Sequence, residues 1–240
     1  MMKKLVVITG ASSGIGMELA NRFHAEGHPV LLLARRKELM EELGLSNCIC
    51  KSVDVTDYQA MEQAIREAEQ QYGETDLLIN CAGIMLLGRP TTQAFEEWER
   101  MIDVNVKGIL TGTHVVLPDM VKRNGGTILN ISSIAGRKTF PNHSVYCGSK
   151  FAVHAITESM RKEVSDHNVR ILVIAPGVVE TPLLSHTTDE GLKTGYEHWK
   201  ESIERGLDAK QIADCALFAY HMPQEVSIRE IVIAKTKQAD

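Results

Sequence analysis

A chain of 240 residues, 44% hydrophobic and 24% charged, has material for a sizeable core and is too balanced for a disordered, collagen-like or disulfide-scaffold protein. Its 26 basic and 31 acidic side chains leave a formal net charge of −5, which offers no electrostatic grip on nucleic acid or an anionic membrane. No stretch approaches the ~20 apolar residues of a spanning helix, and the apolar run after Lys3-Lys4 is shorter than the ~7–15 of a signal peptide, so a cytoplasmic location is expected.

Short runs rich in Val, Ile and Leu recur with helix-like segments between them, the pattern of a parallel sheet joined by helical crossovers. They predict strands over 5–9, 30–34, 48–53, 76–80, 127–132, 170–175 and 230–234. Helices are predicted over 14–26, 37–43, 57–72, 92–122, 144–167 and 209–221. Gly27-His28-Pro29 stops the first helix, Thr56 or Asp57 caps the third, and Asn124-Gly125-Gly126 breaks the fourth before its strand. No repeat, low-complexity tract or Pro/Ser-rich linker divides the chain, so 1–240 reads as one domain. The stretch 176–208 is the least regular and too long for a passive connection, which marks it as a binding loop or lid.

Cys48, Cys50, Cys81, Cys147 and Cys215 sit mostly within apolar runs, as reduced buried thiols do. Cys48 and Cys50 are not followed by a second Cys/His pair at finger-like spacing, so no metal site is expected.

Between the first strand and the first helix lies Thr9-Gly10-Ala11-Ser12-Ser13-Gly14-Ile15-Gly16. Gly10, Gly14 and Gly16 let the backbone turn tightly and approach a ligand, while the free N–H groups and dipole of the helix start favour a pyrophosphate. An NAD-binding fold places an acid on the ribose 2′-hydroxyl about 20 residues further on. Here the second strand runs into Arg35-Arg36-Lys37, cations with forked donors suited to the extra phosphate of NADP, so NADP is expected over NAD. Asp54-Val55, after the third strand, either meets the adenine ring or supplies a helix cap.

Tyr146 and Lys150 are four apart in a helical segment and project from one face. A phenol ionises near pH 10, and a neighbouring ammonium favours its phenolate form. Ser132-Ser133 ends a strand upstream, Asn80-Cys81-Ala82-Gly83 ends the fourth strand, Asn105 lies in the next helix, and Pro176-Gly177-Val178-Val179-Glu180-Thr181 follows the sixth. In these motifs, their order and their spacing, the chain resembles the short-chain dehydrogenase/reductase family in its common form of roughly 250 residues, over nearly its whole length.

The resemblance implies an α/β, doubly wound Rossmann fold with a seven-stranded, mainly parallel sheet and helices on both faces. It implies an oxidoreductase in which Tyr146 donates and accepts the proton and Ser133 orients the substrate oxygen. Lys150 binds the nicotinamide ribose and lowers the tyrosine pKa, and Asn105 holds a relay water. The cofactor is assigned to Gly10, Ser12, Ser13, Gly14, Ile15, Gly16, Arg35, Arg36, Asp54, Val55, Asn80, Ala82, Gly83, Tyr146, Lys150, Pro176, Gly177, Val179 and Thr181. Cys81 departs from the family, which more often has a second Asn there.

The expected substrate is a small carbonyl or alcohol. The ending 228–238 resembles relatives acting on serine-like 3-hydroxy acids or related aldehydes and ketones. The competing reading is a catalytically silent, nucleotide-sensing interaction protein of the same fold; an epimerase is disfavoured by the lack of an appended substrate domain. Asn142 and His143 are candidate substrate contacts, Trp98 and Trp199 read as packing residues, with Trp199 able to cap the pocket, and the methionines read as core filling. In 144–160, Val145, Ala152, Ile156 and Met160 form one apolar stripe and Cys147, Phe151 and Ala155 lie around the helix from it. A crossover helix needs one such stripe, so a homo-oligomer, tetramer or dimer, is expected, and the resemblance places its contact at this helix and 92–122.

Overall fold

A computed structural model describes residues 3–239; Met1, Met2 and Asp240, at the ends of the predicted single-domain span, lie outside the described residues. Seven strands, β1 Leu5–Thr9, β2 Val30–Ala34, β3 Cys48–Ser52, β4 Thr75–Asn80, β5 Gly126–Ile131, β6 Val169–Pro176 and β7 Glu230–Ile233, form one sheet in the order β3-β2-β1-β4-β5-β6-β7. Every neighbouring pair is parallel. Each predicted strand is present with ends shifted by no more than one residue.

The apolar runs are continuous because the central strands are covered on both sides. Val6 and Ile8 face the layer of helices α1 (Gly14–Ala25) and α8 (Ala209–His221), where Phe23, Leu19 and Ile212 are fully buried. Leu5 and Val7, one residue out of phase, face α3 (Tyr58–Tyr72) and α5 (Gly108–Lys122) through Met61, Ile65 and Val116. The sheet order reverses between β1 and β4, and the ligand crevice of an open parallel sheet lies beyond the strand ends at such a point.

Several helices differ from expectation. The predicted helix 37–43 is the shorter α2, Lys37–Glu41. Asp57, not Thr56, caps α3 by accepting from the Ala60 N–H at 3.1 Å. The segment 92–122 is two helices, α4 (Phe95–Ile102) and α5, joined by a π-helical turn at Asp103–Lys107. The wider turn draws the Asn105 side chain inward, where it is fully buried. The helix over 144–167 ends earlier, as α6 (Ser144–Glu163) followed by a 3₁₀ turn, Ser165–His167.

The face α6 turns inward is Tyr146, Cys147, Ser149, Lys150, Val153 and Thr157. Val145, Ala152, Ile156 and Met160 are only half-buried, and Phe151 is 42% exposed. The stripe of Val145, Ala152, Ile156 and Met160 therefore lies largely at the surface, and of the residues around the helix from it Cys147 is buried while Phe151 and Ala155 are exposed. The loop 176–208 is more ordered than its composition implied. It holds a 3₁₀ turn, Pro182–His186, and helix α7, Glu190–Ser202, which Asp189 caps by accepting from the Leu192 N–H at 3.0 Å.

Candidate active site

A cavity of ≈ 560 Å³ opens beyond the strand ends, within the range of small-molecule and cofactor pockets. At one end the β1–α1 turn makes a cradle. Gly10 has φ +68°, and a Cβ there would lie 2.7 Å from the Ala82 Cα; a Cβ on Gly16 would lie 2.3 Å from the Gly10 carbonyl oxygen. Only glycine permits this closeness of β1, α1 and the end of β4. Thr9 ties the same strands together, its hydroxyl oxygen accepting from the N–H groups of Cys81 and Ala82 at 3.0 and 3.1 Å.

The Arg36 guanidinium lies over this turn and donates to the hydroxyl oxygens of Ser12 and Ser13, both at 3.3 Å. Arg35 lines the cavity beside it. Asp54 also lines the cavity, but one carboxylate oxygen already accepts from the Thr56 N–H and hydroxyl at 2.9 and 2.8 Å. A glycine cradle at a helix N-terminus and a cation over two serine hydroxyls fit a dinucleotide that carries an additional phosphate.

At the other end lie Ser133, Tyr146 and Lys150. Ser133 follows β5 and caps the 3₁₀ turn Ile134–Gly136, its hydroxyl oxygen accepting from the Ala135 N–H at 3.1 Å. Lys150 Nζ lies 5.8 Å from the centre of the Tyr146 ring and donates to the Ile131 carbonyl at 3.1 Å. Burial pushes the Tyr146 phenol up to about 12, with the Ser133 hydroxyl offsetting part of the rise, and it pulls the Lys150 ammonium down to about 8. In the free protein desolvation is the largest influence on the Tyr146 phenol, and the Lys150 ammonium is not among its causes. The Cys81 thiol is likewise pushed up to about 12 by burial and stays protonated.

The remaining sequence candidates sort by geometry. Gly10, Ser12, Ser13, Gly14, Ile15, Gly16, Arg35, Arg36, Asp54, Val55, Ala82, Gly83, Pro176, Gly177, Val179 and Thr181 all line the cavity. Asn80 and Asn105 do not. Asn80 points away beneath α5, donating to Asn130 Oδ1 at 2.9 Å and lying 2.7 Å from where a Cβ of Gly112 would sit. It joins β4 to β5 under the site. Asn105 is held by Ile84 and Ser149, and the Ser149 hydroxyl in turn donates to the Tyr146 carbonyl at 2.7 Å.

Asn142, His143 and Trp199 line the cavity. Tyr196 and Gln238 are among the lining residues that the sequence did not single out. Tyr196 sits on α7, and the spacing Leu192, Tyr196, Trp199 was the helical signal that could have found it. Gln238 reaches back from the C-terminal end to accept from the Val178 N–H at 3.0 Å, a contact with no local pattern to announce it.

Fold and cleft together define an oxidoreductase that works with a nicotinamide dinucleotide. Residues 4–191 match the family model described as short chain dehydrogenase. An uncharacterized oxidoreductase of Staphylococcus saprophyticus is 38% identical over 242 residues, covering 98% of this chain and 97% of the relative. The chain belongs to the short-chain dehydrogenase family. It is also 37% identical over 238 residues to a glycine betaine reductase of Emericella nidulans, covering 96% of this chain but only 18% of that much longer protein. Among solved structures, a closed serine dehydrogenase complexed with NADP+ superposes with a TM-score of 0.90 at 29% identity, covering 98% of this chain and 96% of that one.

Proposed function

We propose that the chain is a single-domain, NADP-preferring oxidoreductase that interconverts a small carbonyl compound and its alcohol, with 176–208 forming the substrate wall. The observation that carries this reading is the convergence of Ser133, Tyr146 and Lys150 on the same cavity as the glycine cradle and Arg36. The NADP+ complex of the serine dehydrogenase supports the cofactor class, and the Arg35-Arg36 pair supports the preference over NAD.

Gly10, Ser12, Ser13, Gly14, Ile15 and Gly16 would hold the pyrophosphate, Arg35 and Arg36 the 2′-phosphate, and Asp54 and Val55 the adenine side. Ala82, Gly83, Pro176, Gly177, Val179 and Thr181 would border the nicotinamide half, with Lys150 on its ribose. When bound, the reduced cofactor supplies a hydride. Tyr146 gives its phenolic proton to the substrate oxygen, for which its raised pKa keeps it protonated at neutral pH. The Ser133 hydroxyl donates to the same oxygen as charge develops there. Lys150 stabilises the phenolate left on Tyr146. Asn105, whose side-chain amide is engaged by Ile84 and Ser149, would be the residue that holds a relay water.

No observation favours the catalytically silent sensor. The outward face of α6 with α5 supports a homo-oligomer, dimer or tetramer: Leu110, His114, Leu117, Val121 and Met160 line an apolar groove between the two helices. A light-scattering mass of one chain at micromolar concentration would reject it. No helix among the described residues is long and apolar enough to cross a membrane, and a cytoplasmic location is part of the proposal.

The test is to follow NADPH absorbance with the purified protein and a panel of small aldehydes, ketones and 3-hydroxy acids. Turnover of at least one with NADPH, and slower turnover with NADH, is the expected result. A protein that binds NADPH but turns over none of the panel contradicts the reading.

A further inference from the structure

The two ends of the cavity differ in chemistry. The cradle end carries the Arg35 and Arg36 cations, whereas the Tyr146 end is walled by rings. The His143 ring lies 6.3 Å from that of Tyr146 and 6.2 Å from that of Tyr196, between centroids, and Tyr196 lies 5.3 Å from Trp199. Phe140 backs His143 at 5.8 Å. All five residues line the one cavity.

The charges on this wall decide what it can hold. Lys200, the lining lysine that α7 contributes, is already held by Glu197 at 2.7 Å and Glu180 at 3.3 Å. Burial lowers the pKa of His143 and of His186, so both rings are neutral at pH 7. Lys150 points at the Ile131 carbonyl and is assigned to the cofactor ribose. A substrate carboxylate beside His143, Tyr196 and Trp199 meets Lys150 and Lys200, both engaged, while Arg35 and Arg36, whose charges reach His186, belong to the cradle end; Glu180 and Glu197 lie close enough to the Tyr196 hydroxyl to raise its pKa. A cation finds aromatic rings instead, and a ring attracts a cation held over its face through its quadrupole, most strongly where water is excluded.

The kind of cation follows from hydrogen bonding. A primary ammonium brings three N–H donors that need acceptors, and Glu197, the carboxylate that α7 adds to this wall, is engaged with Lys200, as is Glu180. A trimethylated ammonium has no N–H to satisfy and presents methyl groups to the rings, to Leu184 and to Leu192. We infer that the substrate end takes a small aldehyde or ketone, or the matching alcohol, whose far end is a quaternary ammonium caged by His143, Tyr196 and Trp199. The inference rests on the oxidoreductase reading and names the substrate class of that same site. It excludes the 3-hydroxy acids as preferred substrates. The reaction is unchanged: hydride adds to the carbonyl carbon, the Tyr146 proton goes to the oxygen, and NADPH is oxidised to NADP+.

Three aldehydes separate charge from shape: trimethylammonioacetaldehyde, its uncharged carbon isostere 3,3-dimethylbutanal, and succinic semialdehyde. With NADPH, kcat/KM for the cationic aldehyde is expected to exceed that of the isostere by on the order of tenfold, although the isostere is the more hydrophobic. The anionic aldehyde is expected to be the poorest. In Trp199→Leu the cation-to-isostere ratio falls toward one. The same ratio is read without turnover from the dissociation constants of the two product alcohols on the NADP+-loaded protein. Equal or better use of the isostere or of succinic semialdehyde, or a ratio unchanged in Trp199→Leu, overturns the inference and leaves the oxidoreductase reading standing. Turnover of none of the three, nor of the wider panel, overturns both.

Discussion

The Asn105 side chain and the Ile84 main chain exchange two hydrogen bonds: Asn105 Oδ1 accepts from the Ile84 N–H at 2.8 Å, and Asn105 Nδ2 donates to the Ile84 carbonyl at 2.9 Å. The amide thus behaves as a strand partner for the segment leaving β4. Its second Nδ2 proton goes to the Ser149 hydroxyl at 3.0 Å, one residue before Lys150. One buried side chain therefore fixes the π turn, the strand exit and the catalytic helix relative to one another.

Asn105→Ala leaves the Ile84 N–H and carbonyl buried without partners, and each such loss costs about 1–3 kcal/mol. The expected outcome is a loss on the order of 2–4 kcal/mol of stability, read as a lower denaturant midpoint. Turnover falls in the material that remains folded, with a smaller change in NADPH affinity. A midpoint unchanged from wild type would show that the two bonds do not carry this role.

Arg36 reaches the hydroxyls of Ser12 and Ser13 from the exposed end of β2, where a 2′-phosphate would replace those weak contacts with charged ones. Arg36→Ala is expected to weaken NADP+ binding by roughly ten- to a hundredfold, the worth of a charged hydrogen bond to phosphate, with little effect on NAD+. Calorimetric titration of both cofactors into both proteins checks it. Equal loss for the two would place Arg36 on the pyrophosphate instead.

The strands and the short motifs at their ends were legible in the sequence because they depend on local patterns. Buried parallel strands write themselves as unbroken apolar runs such as Leu5 to Thr9, and the cradle and the Tyr146–Lys150 pair are short motifs. What was not legible depends on distant partners. The π turn exists because Asn105 finds Ile84, twenty-one positions away, and the turn itself, Asp103–Lys107, carries no Gly or Pro to announce it. Helix α7 was hidden by Gly191, Gly195 and Thr194, poor helix formers that masked the Leu192, Tyr196, Trp199 spacing. Asn80 sits in a family-like position, but which way a side chain leaves the end of a strand depends on the space left by Gly112. The inward face of α6 was hidden for a related reason: beside Cys147 and Val153 its buried residues are Tyr146, Ser149, Lys150 and Thr157, polar groups that an apolar stripe does not mark.

Lys150 gives a pH test. Its folded-state pKa is pulled down to about 8 from 10.5 by burial, so the charged form is penalised in the native state. Below about 8 the lysine is protonated in both states and the penalty is present in full; between about 8 and 10.5 the folded form releases its proton and the penalty fades. Lys150→Met is therefore expected to be more stable than wild type at pH 7, by on the order of 1–3 kcal/mol, and to lose that advantage as the pH rises past 10. Thermal midpoints across the range read the difference. A constant gap between the two proteins at all pH values would contradict the burial account.

The central claim is that the Tyr146 hydroxyl carries the proton, and Tyr146→Phe tests it most directly because it removes one oxygen from a residue only 5% exposed and leaves the ring in place. The measurement is kcat for NADPH oxidation with the best substrate of the panel, alongside the dissociation constant of NADPH for the same variant. The account predicts a fall in kcat of roughly a hundredfold or more with NADPH binding nearly unchanged, as for loss of a general acid. A variant that turns over within about threefold of wild type would contradict it, since general acid catalysis contributes far more than that.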